Sequence, residues 1–466
     1  MRQSEPSKQP LEIELYESRK KVHPRNVKGY YQTLRKISLY VLLGIYYLLP
    51  WLNFEGHQAI LFDLPARKFT IFSIVFWPQD FIYLSWLLII AAFTLFFVTA
   101  LAGRVWCGFA CPQTVWTELF VRIEQIIEGS RNKRIKLDKA PWNWAKIKTR
   151  GLKIFLWLIL ALWTGFTFVG FFSPIRELFE HVLSASLGPW ETFWILFYAL
   201  ATYGNAGFLR EQVCMHMCPY ARFQSAMFDK DTLIISYDVA RGEPRAAGKK
   251  RRAEIENVGD CIECQACVHV CPTGIDIRDG LQYECIACAA CVDACDEVMI
   301  KVGKEPGLIK YTTEHQVDGK QTKIFRPRIL VYLLALSIMV GLFAMTILSR
   351  KDFAVDILRD RNSFYRMIDA KTIENVYKIK IMNKSNVSQE YDISASGFGA
   401  DLIVFIDEKN KNRTLDAGEI LNLPVKVRTQ KDAVKKRIQH IEFEIKVLGQ
   451  NQDSITEKSI YFGPKK

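Results

Sequence analysis

The chain has 466 residues, half of them apolar, and a formal net charge of +13. The length allows several domains, but the apolar residues are gathered into long runs, which argues against a purely soluble protein. The positive charge follows the loops between those runs and forms no single patch, which argues against a nucleic-acid-binding face and for a membrane protein.

The first 36 residues are polar and carry nine Lys and Arg. They read as a cytoplasmic arm, because the apolar run that follows has no convincing cleavage site for a secretory signal. Five runs are long enough to cross a bilayer, which needs roughly 20 apolar residues: 37–54, 81–103, 151–172, 187–209 and 329–348. Pro50 stands near the end of the first, and Glu191 and Asn205 lie in the fourth. The loop 104–150 holds ten Lys and Arg, 55–80 holds two, and 174–186 holds only Arg176. Residues 210–328 are basic again, with "GKKRRAE" among them. Basic residues collect in loops kept in the cytoplasm. The expected order is therefore an inner arm (1–36), four spans (37–209) with an inner loop at 104–150, an inner domain (210–328), a fifth span (329–348) and an outer tail (349–466).

All twelve cysteines fall in the segments expected inside. A disulfide-stapled outer protein would show the reverse, so reduced thiols for metal or redox work are expected. Eight form two runs, each C-x2-C-x2-C-x3-C: Cys261, Cys264, Cys267, Cys271, then Cys285, Cys288, Cys291, Cys295. This is the bacterial two-cluster ferredoxin spacing, in which the fourth cysteine of each run ligates the other cluster. A short loop closes three thiolates on one face of a cube, and the internal repeat supplies the fourth. One 4Fe–4S cluster is expected on Cys261, Cys264, Cys267 and Cys295, and the other on Cys285, Cys288, Cys291 and Cys271. Paired zinc sites are the poorer alternative. Pro272 follows the first run, but Asp296 follows the second, where a proline is usual.

The other four cysteines form two C-x3-C-P pairs, Cys107 with Cys111 and Cys214 with Cys218. Each follows the inner end of an expected span, so the pairs could meet at one membrane face. On a helix the spacing puts both thiols of a pair on one side, and Pro112 and Pro219 then interrupt it. With Met215, His216 and Met217 the second pair offers soft ligands suited to reduced copper. A dithiol couple, a third cluster, or small buried residues without a ligand role stay open. No haem is expected, because none of the seven histidines lies within a span; His57 and His181 read as ordinary loop residues.

The tail changes period. "NVYKIKIMN", "LPVKVR" and "IEFEIKV" alternate, with Tyr377, Ile379 and Ile381, then Leu423, Val425 and Val427, then Ile441, Phe443, Ile445 and Val447 on one face. Alternation in short runs between polar turns predicts an antiparallel β-sandwich. The stretch 407–419 has carboxylates out of register for a calcium loop and reads as a β-turn.

Several stretches together resemble one family: "RKKVHPRNVKGYY", "GHQAILFDLPARKFTIFSIVFWPQDF", "TALAGRVWCGFACPQTVWTELF", the tandem cysteine runs, and "IENVYKIKIMNKS". They are similar to the FixG/RdxA/CcoG family of polyferredoxin-like membrane proteins that serve assembly of cbb-type haem–copper oxidases. The resemblance implies a multi-pass protein of the bacterial cytoplasmic membrane with two 4Fe–4S clusters on the cytoplasmic side and an immunoglobulin-like periplasmic tail. It also implies an oxidoreductase that converts cupric to cuprous copper, with Cys107, Cys111, Cys214 and Cys218 as the copper-reducing region. The partners expected are a cytoplasmic electron donor, a copper transporter or chaperone, and oxidase subunits or assembly factors at the tail. A NapH-type quinol-oxidising conduit and a non-catalytic assembly scaffold are the alternatives.

Overall fold

The computed structural model describes residues 21–54, 56–72, 74–248, 257–360, 364–385, 387–397, 402–406, 414–448 and 454–464. The chain divides into two compact units. One draws on residues up to Leu48, Ala92–Val169 and Ser186–Leu333; the other on Leu49–Ala91, Gly170–Ala185 and Leu334–Lys466.

Among the described residues, three helices are long and apolar enough to cross a membrane: Phe81–Ala102, Trp144–Val169 and Pro327–Leu348. Phe81–Ala102 is apolar on every side and exposes Phe81, Ile82, Leu87, Leu88 and Ile89, as a helix bathed in hydrocarbon would. The other two expected spans do not meet that measure. The run 37–54 is realised as a helix Tyr30–Leu48 that ends in a 3-10 turn, Leu49–Trp51, at Pro50. The run 187–209 becomes an α-helix Pro189–Thr202 continued by π-turns over Tyr203–Leu209.

In the first unit, Trp144–Val169 packs closely on Pro189–Thr202. A Cβ on Gly165 would run into the backbone of Ile195 and Ala199, so the missing side chain lets the helices touch. Helix Pro112–Glu128 joins them through Trp157 Nε1, which donates to Phe120 O at 3.0 Å. The two cysteine runs fold as a repeat. Glu263 and Gln265 in the first run, and Ala287 and Ala289 in the second, all take φ of +51° to +56°. Non-glycine residues rarely adopt that region, and its recurrence marks a constrained, ligand-holding loop. The repeat then breaks. The helix Ala266–Val270 stops before Cys271 and Pro272, whereas Ala290–Lys301 runs on through Cys295 and Asp296. Without the proline nothing removes the helical hydrogen bonds, and Asp296 instead accepts from Gly307 N at 2.7 Å.

The second unit contains a β-sandwich of two antiparallel sheets. One pairs Thr372–Asn383 with Ile420–Gln430 and Phe353–Arg359, with Ile403–Ile406 beyond Ile420–Gln430 and Arg366–Met367 also on Thr372–Asn383. The other runs Thr414–Leu415, Gln389–Ser396, Ile438–Leu448, Ser454–Phe462. Tyr377 pairs with Val425 and Ile379 with Leu423, and all four are fully buried. From the facing sheet come Ile441, Phe443 and Ile445. Each such side chain stabilises by about 1.5–3 kcal/mol. Two tyrosine hydroxyls tie sheet to sheet: Tyr377 donates to Ile460 O at 2.9 Å and Tyr461 to Ile373 O at 2.8 Å. Most of the expected turn at 407–419 lies outside the described residues.

The loop 55–80 is more than a connector. It forms a three-stranded sheet of Ile60–Asp63, Lys68–Ile71 and Ile74–Phe76, then a 3-10 turn, Pro78–Asp80. Asp80 is buried and accepts from Arg350 at 2.9 Å and Lys384 at 2.7 Å. Trp77 lies against Gly418, whose φ of +75° and lack of a Cβ leave room for the ring.

Candidate redox centre

The eight cysteines of the two runs sort into two cavities. One is lined by Cys261, Cys264, Cys267 and Cys295, with Tyr237, Met299, Leu308 and Ile309 around them. The other is lined by Cys267, Cys271, Cys285, Cys288 and Cys291, with Ile235, Ile275, Ile277 and Ile286 as walls. Each cavity is lined by thiols of both runs, and Cys267 borders both. Four sulfur donors in a largely apolar pocket fit a 4Fe–4S cluster. Arg278, fixed on Asp276 by a 2.5 Å hydrogen bond, lines the first cavity and supplies a cation beside it.

The two C-x3-C-P pairs also come together. Burial pushes the Cys107 thiol up to about 12; Cys111 adds to this, Arg104 opposes it, and Cys214 and Cys218 are near enough to contribute. Burial likewise lifts Cys214 to about 12, with Cys111 and Cys218 among its neighbours. Protonated thiols of this kind become ligands only when a metal displaces the proton. Cys107 Sγ donates to Gln224 Oε1 at 3.4 Å, and Gln224 Nε2 donates in turn to Gly103 O at 3.2 Å.

The first pair rests on the second cysteine run. Gly108 lies so close to the loop 286–288 that a Cβ there would stand 2.8 Å from Ile286 O and 2.9 Å from Ala287 O. Cys107 packs into the apolar cluster that contains Ile286, Cys288 and Ala290. Arg104 pins the same junction, donating to the carbonyls of Tyr283 and Ala221. The second pair is held from behind. Arg210, at φ +48°, ends the π-turn; its Nε donates to Gly207 O at 2.9 Å, its Nη2 donates to the buried Glu124, and its guanidinium lies over the Trp157 ring.

Around the pairs, His216 and Met217 are exposed and Met215 is half-buried. Among the described residues no three Cys, His, Asp or Glu side chains are placed to hold one metal ion, and no disulfide joins any two cysteines. Sequence reasoning missed Arg104, Gly108, Glu124 and Gln224. Only "GRVWCGFACP", with an arginine and a glycine inside the motif, carried a signal for the first two.

The family profile described as "4Fe-4S dicluster domain" matches residues 209–314, and that of a "4Fe-4S binding domain" matches 84–134. The profile of the "IG-like fold at C-terminal of FixG" matches 343–464. The chain is 38% identical over 424 residues to nitrogen fixation protein FixG of Rhizobium meliloti, covering 83% of this chain and 81% of that one. To protein RdxB of Cereibacter sphaeroides it is 40% identical over 412 residues, with 84% and 85% covered. To protein RdxA of the same organism it is 38% identical over 400 residues, with 82% and 84% covered. The crystal structure of a FixG-related protein from Vibrio parahaemolyticus is 26% identical and covers 24% of this chain and 98% of its own, with a TM-score of 0.21. On that identity over four-fifths of its length, the chain belongs to the FixG/RdxA/RdxB family and is an iron–sulfur electron-transfer protein.

Proposed function

We propose that this chain reduces Cu(II) to Cu(I) at the mouth formed by Cys107, Cys111, Cys214 and Cys218, for maturation of a cbb-type oxidase. Cys261, Cys264, Cys267 and Cys295 hold one 4Fe–4S cluster, and Cys285, Cys288, Cys291 and Cys271 the other. When bound, the clusters supply one-electron chemistry. A cytoplasmic donor loses one electron for each Cu(II) that gains one. Met215, His216 and Met217, the last two exposed, offer ligands on which cuprous copper dwells before a chaperone or transporter takes it. Copper is substrate here and not a resident cofactor.

The observation that carries this reading is the contact of Gly108 with the loop 286–288, which brings the thiol mouth against the second cysteine cavity. The membrane arrangement has five crossings, with the ferredoxin module inside and the sandwich outside. It is supported by the way the chain divides: the basic segments 21–36, 104–150 and 210–328 share one unit, and the loop 55–80 and the tail share the other. The sandwich is the surface for oxidase subunits or assembly factors. In the test, C214S/C218S is expected to abolish cupric reduction by dithionite-reduced protein while the electron paramagnetic resonance (EPR) signals of the two ferredoxin-type clusters persist. Undiminished reduction in that variant would refute the role given to the mouth.

A further inference from the structure

The two ferredoxin cysteine sets have different surroundings. Cys264 is exposed, and each of the other seven cysteines is buried or half-buried. The outer set, Cys261, Cys264, Cys267 and Cys295, thus meets solvent at one ligand. The arginine that lines its cavity, Arg278, is neutralised: its Nε donates to Asp276 Oδ1 at 2.8 Å and Oδ2 at 3.1 Å. Asp296 stands near Cys295 and adds negative charge. The inner set, Cys271, Cys285, Cys288 and Cys291, has no exposed thiol and lies against the mouth where Gly108 meets the loop 286–288. Two arginines stand beside it. Arg35, near Cys288, is matched by Glu118 at 3.2 Å, with Asp293 also near. Arg104 is not matched. It is 4% exposed, and it donates only to backbone carbonyls: those of Tyr283 and Ala221, and that of Cys285 at 3.4 Å. Its Nε has no hydrogen-bond partner among the described residues.

An added electron is added negative charge. Solvent and nearby cations stabilise it, and burial without a cation opposes it. On exposure alone the electron would rest on the outer set, and the inner set would be the harder to reduce. A buried cation without a carboxylate acts the other way, because its field is little screened. We propose that Arg104 sets the direction of the relay: its charge holds the inner set at a higher potential than the outer one, so that an electron taken in at Cys264 runs toward the thiol mouth. The carbonyl contacts fix the guanidinium where this matters. Tyr283 and Cys285 belong to the second run, Ala221 follows Cys218 and Pro219, and Arg104 itself stands three residues before Cys107. Arg104 is a positioning residue that touches neither donor nor copper. One electron moves in each passage: the donor loses it, Cu(II) gains it, and the guanidinium keeps its protons throughout.

The gradient rests on the electron-relay reading but is measured without copper. Detergent-purified full-length protein, reconstituted anaerobically with iron and sulfide, is titrated with dithionite and followed by EPR. Cys264→Ser and Cys285→Ser mark which signal belongs to the outer set and which to the inner. In wild type the inner signal is expected at the higher potential. Arg104→Met should lower it by about 59 mV, a tenfold shift in where the electron rests, and leave the outer signal unmoved. Arg104→Lys keeps the charge and should titrate as wild type does. The opposite order in wild type overturns the proposal. So does Arg104→Met that moves both signals alike or neither, or Arg104→Lys that moves the inner signal as far as Arg104→Met. Should Arg104→Met take up no iron, the wild-type order and Arg104→Lys decide: a lysine variant that loses the order overturns the proposal, and one that keeps it sustains it. Protein with the expected potentials that leaves Cu(II) unreduced refutes the copper reading alone. Protein with the opposite order that reduces Cu(II) refutes the gradient alone.

Discussion

Glu124 is wholly buried, yet it meets two guanidinium groups: Arg134 at 3.3 Å, and Arg210, which also ends the turn before Cys214. Burial would raise its carboxyl, but the charge and hydrogen bond of Arg210, helped by Lys153, draw it down to about 2. A carboxyl depressed from its ordinary 4.5 contributes stability that is complete above about pH 4.5 and is lost as pH falls toward 2. The shift corresponds to roughly 3 kcal/mol. Glu124→Gln is therefore expected to lower the melting temperature at pH 7 and to lose little more on acidification. Melting curves of both proteins from pH 7 to pH 2 should converge at the acid end; parallel curves would mean that Glu124 carries no charge worth the name. Gly108 makes a second residue-scale prediction. Gly108→Ala puts a methyl against two backbone carbonyls that cannot swing aside, at a cost of roughly 1–3 kcal/mol. Cupric reduction should fall while the ferredoxin EPR signals keep their intensity. A rate equal to wild type would show that the turn is not seated on that loop.

Elements built on local spacing were legible in the sequence. Ligand spacing is short-range, so the cysteine runs declared their grouping before any fold was known. Alternation declared the sandwich, because Tyr377, Ile379 and Ile381 must share a face whatever they pair with. The elements that depend on distant partners were not legible. The strands in 60–76 are three or four residues long, and they are sheet because neighbours in their own unit hold them: Phe62 N donates to Phe171 O at 2.7 Å, and Gln58 Nε2 to Gly170 O at 2.7 Å. Glu124 and Arg210 lie 86 residues apart, so nothing local announces their pairing. The helix Ala290–Lys301 makes an element-scale prediction. Asp296→Pro would restore the proline that usually follows such a run. Here it falls inside a continuous helix and removes the acceptor for Gly307 N, which should cost about 3 kcal/mol or more. Iron content measured after heating should drop in the variant before it drops in wild type; equal retention would mean that this helix is not needed to keep Cys295 in place.

At the scale of the whole molecule, the division into two units separates what holds iron from what does not. Every cysteine falls in one unit, and Asp80 belongs to the other. Within its unit, Asp80 ties the loop 55–80 to the start of the sandwich by accepting from Arg350 and Lys384 while only 4% exposed. Removing one partner of a buried charge group leaves the rest uncompensated, typically at about 3–5 kcal/mol. Asp80→Ala should therefore speed hydrogen exchange in Lys68–Ile71 and Phe353–Arg359, where the loop and the sandwich begin to separate. Iron content, EPR signals and cupric reduction with an artificial donor should stay at wild-type levels, because none of the contacts that Asp80 makes reaches a cysteine. Delivery of copper to an oxidase partner should fall if the sandwich is the docking surface, since that surface must be held in place to be recognised. Loss of iron from Asp80→Ala would show instead that the two units fold as one cooperative body, and the assignment of electron transfer to one and docking to the other would fail with it.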